Sequence, residues 1–266
     1  KNEIEFSMIS GKTVVPIRFE SFNFYKQERF RAMSEQYGFH PLLMAANYIA
    51  KQKTPTFAPE EIAEFYKRDM NAVRAAFTQL YFEGYVVTDP KNGLLRLTNK
   101  GILYVLANNK QADFDNLQIS SLYPANSTTA NASIDLKDNV MTIRGVDKFT
   151  ISDSLKIVAT PSDKQIKVLK NRDFSMNGLL TSANFRFNGR DLVFNYDKFF
   201  VDLNKIDNIT YIPKAAYDKG SKAEVGGDIV YEKSGRIYLN DPTNKSGAKK
   251  NSVFPRLNVP EGMTVY

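Results

Sequence analysis

The chain has no cysteine and a single histidine among its 266 residues. The first absence removes disulfides, thiol nucleophiles and cysteine-based zinc sites together. The second leaves serine nucleophiles without an imidazole base unless His40 is recruited, and no G-x-S-x-G pattern occurs. His40 stands directly before Pro41 at a helix entry, where a capping or surface role is the ordinary one. Neither G-x-x-x-x-G-K-[ST] nor G-x-G-x-x-G is present, so no backbone cradle for phosphate is signalled. No apolar run reaches the length of a membrane span, and no signal peptide is legible. A basic tail is missing too. The net charge is +7, but residues 1–110 carry fifteen bases against eleven acids and residues 111–266 twenty-one against eighteen. An excess spread so evenly describes a solvated surface; it permits an anionic partner without selecting one. The chain starts at Lys1 without Met and ends on Met263-Thr264-Val265-Tyr266, as if in mid-strand. It therefore reads as a fragment of a longer protein, in which the lack of a targeting signal is uninformative.

What is present is most informative between His40 and Ala107. Pro41–Gln52 has apolar residues at helical spacing and opens on proline, which suits a first helical turn. Thr54-Pro55-Thr56 breaks it. Ala58-Pro59-Glu60-Glu61 starts a second helix, with early proline and acids at the positive end of the dipole. Asp69 is placed to cap a longer helix, Met70–Glu83, whose Met70, Val73, Phe77, Leu80 and Tyr81 form the expected buried stripe. Gly84 suits the residue after its end. Tyr85–Thr88, the turn Asp89-Pro90-Lys91-Asn92-Gly93 and Leu94–Leu97 predict a hairpin, with glycine taking the positive φ. Leu97-Thr98-Asn99-Lys100-Gly101 then leads into the helix Ile102–Ala107.

This order of helix, helix, long helix, hairpin and L-T-x-K-G resembles the winged-helix superfamily over residues 38–108. The resemblance implies a third helix that enters the major groove and a wing that contacts phosphate. Carried onto this chain, the candidate interaction face is Asn71, Arg74, Thr78 and Phe82 (with Ala75) on the helix, and Lys91 and Arg96 on the wing. Residues 41–107 hold eight basic residues against six acids. DNA affinity rests on several cation–phosphate contacts, and Glu60, Glu61 and Glu64 would lie near the backbone. Phe82 and Ala75 suit a protein contact better than a base edge. An interaction or structural use of the shape is therefore favoured over DNA.

Around this module the chain divides into a β-strand and helix lead-in (1–37), the winged-helix-like domain (38–110), a linker (111–133) and a β-rich domain (134–266). In the lead-in, Ile4–Ile9 and Thr13–Phe24 are β-type runs and Tyr25–Tyr37 is helical. Phe22, Phe24, Phe30 and Met33 would pack it onto the helices. Asn108–Asn116 and Ser120–Ser133 have the polar composition of a linker or exposed loop. From Ile134 the period changes to two. Short strands are expected at 140–143, 149–151, 155–158, 165–168, 174–180, 184–187, 192–194 and 199–203, with Gly178 and Gly189 as turn formers. The segments F-S-M-N-G-L-L and F-R-F-N-G-R-D-L, eleven residues apart, fit the rungs of a β-solenoid or stacked sheet, with a β-sandwich as the alternative.

Lys170–Leu180, Phe185–Arg190, Phe194–Phe199 and Tyr238–Gly247 resemble patterns in large uncharacterised exported proteins of Bacteroidota. That resemblance covers residues 130–266 and implies a cell-envelope location. Asp153-Ser154-Leu155 fits the short acceptor pattern for O-glycosylation in that phylum.

The remaining chemistry is sparse. Asp191, Asp197, Asp202 and Asp207 occupy turn positions with nothing to pair them as hydrolytic carboxylates. Val225–Asp228 reads as a turn. Asn240–Gly247 offers oxygen ligands for calcium but lacks a distal Glu, so a structural turn is the better reading. The expectation is an α+β protein without catalytic, cofactor or metal site. It would serve as a non-enzymatic structural or protein-interaction segment of a larger envelope protein, its partner a protein or another domain of the same polypeptide. The alternative is a DNA-binding winged helix with a β-rich sensing or oligomerisation domain.

Overall fold

The structure, a computed structural model, describes residues 3–6, 14–124, 128–211 and 235–259. The expected turn at 225–228, the terminal strand at 263–266 and part of the Ile4–Ile9 run lie outside them. The fold is mixed α+β with an extensive antiparallel sheet, and it falls into two compact units. One comprises residues 1–24 and 115–266, the other residues 25–114. The helical unit is thus an insertion in the β unit, and the boundaries differ from those expected.

The helical unit contains α1 (Gln27–Tyr37), α2 (Pro41–Gln52), α3 (Pro59–Tyr66), α4 (Met70–Phe82), the hairpin β3 (Val86–Thr88) and β4 (Leu95–Leu97), and α5 (Asn99–Asn108). Its helix starts are written in capping chemistry. His40 Nδ1 accepts from Leu43 N–H at 3.4 Å while Nε2 lies 3.0 Å from Phe30 O. The ring therefore carries its proton on Nε2, and burial holds its pKa below the ordinary value. Asp69 accepts from Ala72 N–H at 2.8 Å to open α4. On α3, Glu61 reaches back to Ala58 N–H at 2.8 Å.

The Leu97–Gly101 stretch has one task for nearly every residue. Leu97 pairs with Val86 across the hairpin. Thr98 accepts from Gly101 N–H at 3.1 Å and donates to Gly84 O at 2.7 Å, so α5 begins at Asn99 rather than at the expected Ile102. Lys100 Nζ donates to Glu83 O at 2.8 Å, neutralising the carbonyl end of α4. Gly101 lies against the strand: a Cβ there would stand 2.3 Å from Tyr85 O. The core of this unit holds Phe30, Met33, Leu42, Phe57, Ile62, Val73, Phe77 and Leu80, with Tyr25, Tyr85 and Tyr104 meeting edge to face.

The β unit contains β1 (Glu3–Phe6), β2 (Val14–Glu20), β5 (Gln118–Pro124), β6 (Ala132–Asp135), β7 (Val140–Arg144), β8 (Phe149–Ser152), β9 (Ile157–Pro161), β10 (Gln165–Val168), β11 (Phe174–Ser182), β12 (Phe185–Asn195), β13 (Phe200–Tyr211), β14 (Gly235–Tyr238) and β15 (Arg256–Asn258). They form one sheet whose main path runs β1-β2-β5-β8-β9-β11-β12-β13-β14-β15. At β11 the sheet forks. Its first residues pair with β10, which leads to β7 and β6, while Gly178–Ser182 pair with β9. The branches meet again where Leu122 N–H donates to Gly145 O at 2.8 Å. Strands β5, β8, β9, β11, β10 and β7 therefore enclose a core that includes Ile119, Ile143, Phe149, Ile157, Ile166, Phe174 and Leu180.

Several expectations are corrected here. Every ladder in this sheet is antiparallel, whereas the rungs of a parallel β-helix stack in parallel. The two similar segments eleven residues apart are the arms of the β11–β12 hairpin, and they bring Gly178 opposite Gly189. Those glycines are therefore not turn formers. They sit inside β11 and β12 beside register shifts, where a Cβ would meet Thr160 O at 2.3 Å or Lys205 O at 2.4 Å. The chain turns instead at Ala183, with φ of 50°. The expected linker contains β5, fully paired with β2. The lead-in is divided: Phe24 is buried in the β unit, Phe30 and Met33 are buried in the helical unit, and Phe22 is exposed.

Candidate functional site

The face singled out in the sequence lies on α4. Asn71, Arg74, Ala75, Thr78 and Phe82 are all exposed, as one helical face should be. The buried face differs from expectation at both ends of the stripe and at Ala76, since Met70 is only partly buried. Ala76 is buried with Val73, Phe77 and Leu80, whereas Tyr81 is 45% exposed. Tyr81 and Phe82 form an aromatic ridge, their rings edge to face at 6.0 Å, with Phe82 80% exposed. An aromatic side chain left so far out of core packing contributes apolar surface but little to the fold's own stability.

Beside the ridge is an open hollow of about 450 Å³ between α3, α4 and the hairpin. Leu95, Tyr81 and Phe82 give it apolar surface above the buried Phe77, Thr78 and Thr88 border it, and Glu60 and Arg74 bring its charge. Those two charges answer each other: Arg74 Nε donates to Glu60 Oε1 at 2.7 Å. The Glu60 carboxyl is held below its ordinary pKa, first by its backbone hydrogen bond and then by Arg74.

Three of the six predicted face residues, Arg74, Thr78 and Phe82, border this hollow; the others do not. Asn71 lies one turn earlier on α4. Arg96 alternates with Leu95 along β4 and so points to the other face of the hairpin. Lys91 sits in the turn, where its backbone N–H donates to Asp89 Oδ1 at 2.8 Å. No stripe of cations is assembled, and Arg74 is already engaged. Glu60, Tyr81 and Leu95 belong to the hollow but were not among the predicted residues. The helical period had assigned Tyr81 inward, and the approach of α3 and β4 to α4 is tertiary.

A buried polar centre in the β unit escaped the sequence reading. Asp115, 1% exposed, accepts from the hydroxyls of Ser21 and Tyr196 and from Leu117 N–H at 2.9 Å. It also donates its own N–H to Asn23 O at 3.0 Å. Burial pushes its carboxyl above the usual pKa, although those donors and Lys245 oppose the shift; burial and the neighbouring Asp115 push the Tyr196 phenol up as well. Ser21 and Leu117 also line a small cavity with Phe19, Ile119, Met141, Val168 and Phe174, while the Asp115 carboxyl itself is enclosed by its donors.

The other chemical candidates are absorbed structurally. Asp197 pairs with Arg172 at 2.9 Å, Asp207 with Arg190 at 3.1 Å and Asp202 with Arg236 at 2.6 Å, while Asn204 donates to Asp191. In the 240–249 loop, Asp241 Oδ1 accepts from Thr243 N–H and Oγ1–H at 2.8 and 2.7 Å. Asn240 donates to Asn244 O, and Asn244 to Lys249 O, each at 2.7 Å. The oxygens that invited calcium thus serve turn hydrogen bonds. Among the described residues no cluster of three metal-ligating His, Asp or Glu occurs, and no helix is long and apolar enough to cross a membrane.

No protein-family model, curated protein or solved structure matches this chain.

Proposed function

We propose that the chain is a non-enzymatic protein-interaction segment, and that its helical unit is a winged-helix module used for protein contact rather than for DNA. The observation that carries this reading is the composition of the α4 face. It presents an exposed Tyr81–Phe82 ridge beside an apolar hollow, and its one arginine is paired with Glu60. Duplex binding draws its affinity from several unengaged cations facing phosphate. Protein contacts draw theirs from desolvated aromatic anchors in well-packed hollows. The resemblance of residues 130–266 to large exported Bacteroidota proteins supports placing this segment in the cell envelope, within a larger polypeptide.

A photo-reactive phenylalanine analogue at position 82 tests the reading in cells. The expected adduct is with protein, and it exceeds that from the same analogue at exposed Ile102 on α5. A nucleic-acid adduct, or equal yields from the two positions, would overturn it.

A further inference from the structure

The chain holds three Asn-Gly pairs, Asn92-Gly93, Asn177-Gly178 and Asn188-Gly189. Asparagine is thermolabile, most of all before glycine, where no Cβ shields the following backbone nitrogen from the carboxamide. We infer that Asn92, in the turn of the β3–β4 hairpin, deamidates spontaneously in the folded protein, while the sheet protects the other two pairs. The Gly93 nitrogen gives up its proton and bonds to Asn92 Cγ, the Cγ–Nδ2 bond breaks, and ammonia departs to leave a succinimide. Water then opens either ring carbonyl, giving aspartate or isoaspartate.

The surroundings of the three pairs select Asn92. It is exposed, as is Gly93, in a turn that closes strands of only three residues each. Gly93 N–H donates to Asp89 O at 2.9 Å, Leu94 N–H to Asn92 Oδ1 at 3.0 Å and Asn92 Nδ2 to Thr56 Oγ1 at 3.3 Å. These bonds must part before the nitrogen reaches Cγ, but an exposed turn on a two-stranded sheet opens locally at low cost. Asn177 is held differently. Its O accepts from Ser162 N–H and its Oδ1 from Asp191 N–H, each at 2.9 Å, and a Cβ on Gly178 would meet Thr160 O at 2.3 Å. Asn188 pairs with Leu179 on one side and Asn208 on the other. Reaction at either pair requires central strands to separate, at a cost much nearer that of global unfolding. Gly93 also borders the hollow beside α4, so the new carboxylate arises at that rim, and isoaspartate lengthens the turn by one backbone carbon. The reaction needs no partner and is independent of what the α4 face meets.

Incubation of the whole 266-residue chain in mildly alkaline buffer, followed by peptide mass spectrometry and isoaspartyl methyltransferase labelling, reads this directly. In the folded chain, conversion at Asn92 should exceed that at Asn177 and Asn188 by roughly tenfold or more, since local opening is so much cheaper there. In concentrated urea the three pairs should react at similar rates. Asn92→Gln should remove the methyl label from the folded chain at unchanged circular dichroism. Equal rates at the three pairs in the folded chain, or a methyl label that survives Asn92→Gln, overturns the inference. So does an Asn92 that stays intact in the folded chain over a period in which the unfolded chain reacts.

Discussion

Arg74 on α4 and Glu60 on α3 are joined at 2.7 Å across the rim of the hollow, and this pair decides how the face should be read. It engages the one cation that the long helix offers on its exposed side, at the place where a groove-reading helix would need it free.

Because both partners are substantially exposed, the pair contributes little to stability. Arg74→Ala should cost less than about 1 kcal/mol in chemical denaturation. The Glu60 pKa is depressed by its backbone hydrogen bond and by Arg74. The stabilisation is therefore present above the unfolded carboxylate value and is lost as pH falls through the folded one. Carboxyl NMR titration of Arg74→Ala should show Glu60 moving back up toward the ordinary value.

Asp115 behaves with the opposite sign. Its folded pKa is raised, chiefly by burial, so the folded state takes up a proton more readily than the unfolded chain. Its single-site contribution to stability grows as pH is lowered through the raised value toward the unfolded one. Asp115→Asn should flatten that slope in denaturation curves taken across the acidic range. Asp115→Ala, which strands the donors of Ser21, Tyr196 and Leu117, should cost about 2–4 kcal/mol.

Gly101 reverses a general rule. In a helix interior, glycine to alanine normally gains up to about 1 kcal/mol. Here the added Cβ would lie 2.3 Å from the Tyr85 carbonyl oxygen, so Gly101→Ala should lower the thermal midpoint, by an overpacking cost of about 1–3 kcal/mol. A raised midpoint would contradict the close approach of α5 to the strand.

The insertion of the helical unit makes a topological prediction. β2 and β5 pair directly, Glu20 opposite Gln118, and Asn23 O accepts from Asp115 N–H. Replacing residues 25–114 with a short Asn-Gly turn should leave a β unit that unfolds cooperatively with a β-type circular dichroism spectrum. A molten or aggregated product would contradict the independence of its core.

Local pattern made much of the helical unit legible. α2 has the predicted bounds, α4 begins at the predicted Met70, and the Asp89–Gly93 turn closes the predicted hairpin. These features depend on residues within a turn or two of one another, through caps, proline and a positive-φ glycine. What failed depends on distance. Gln118–Pro124 has the serine-rich look of a linker, because Ser121 is buried alongside Ile119 while Leu122 is exposed. Its strand character comes from β2, almost a hundred positions earlier. The eleven-residue similarity was real, but period alone does not say whether similar segments stack in parallel or fold back on each other. On the site, spacing placed Arg74, Thr78 and Phe82 on one face; it could not show Glu60 arriving to pair with Arg74, or Arg96 turning to the far side of the hairpin.

The central claim is that the α4 face meets protein and not DNA, and fluorescence anisotropy with random-sequence duplex at 50 and 200 mM salt tests it most directly. The account predicts no saturable binding at either concentration, and no change on Arg74→Ala, Lys91→Ala or Arg96→Ala. Saturable binding that falls by orders of magnitude between the two salts, and that weakens with those substitutions, would contradict it.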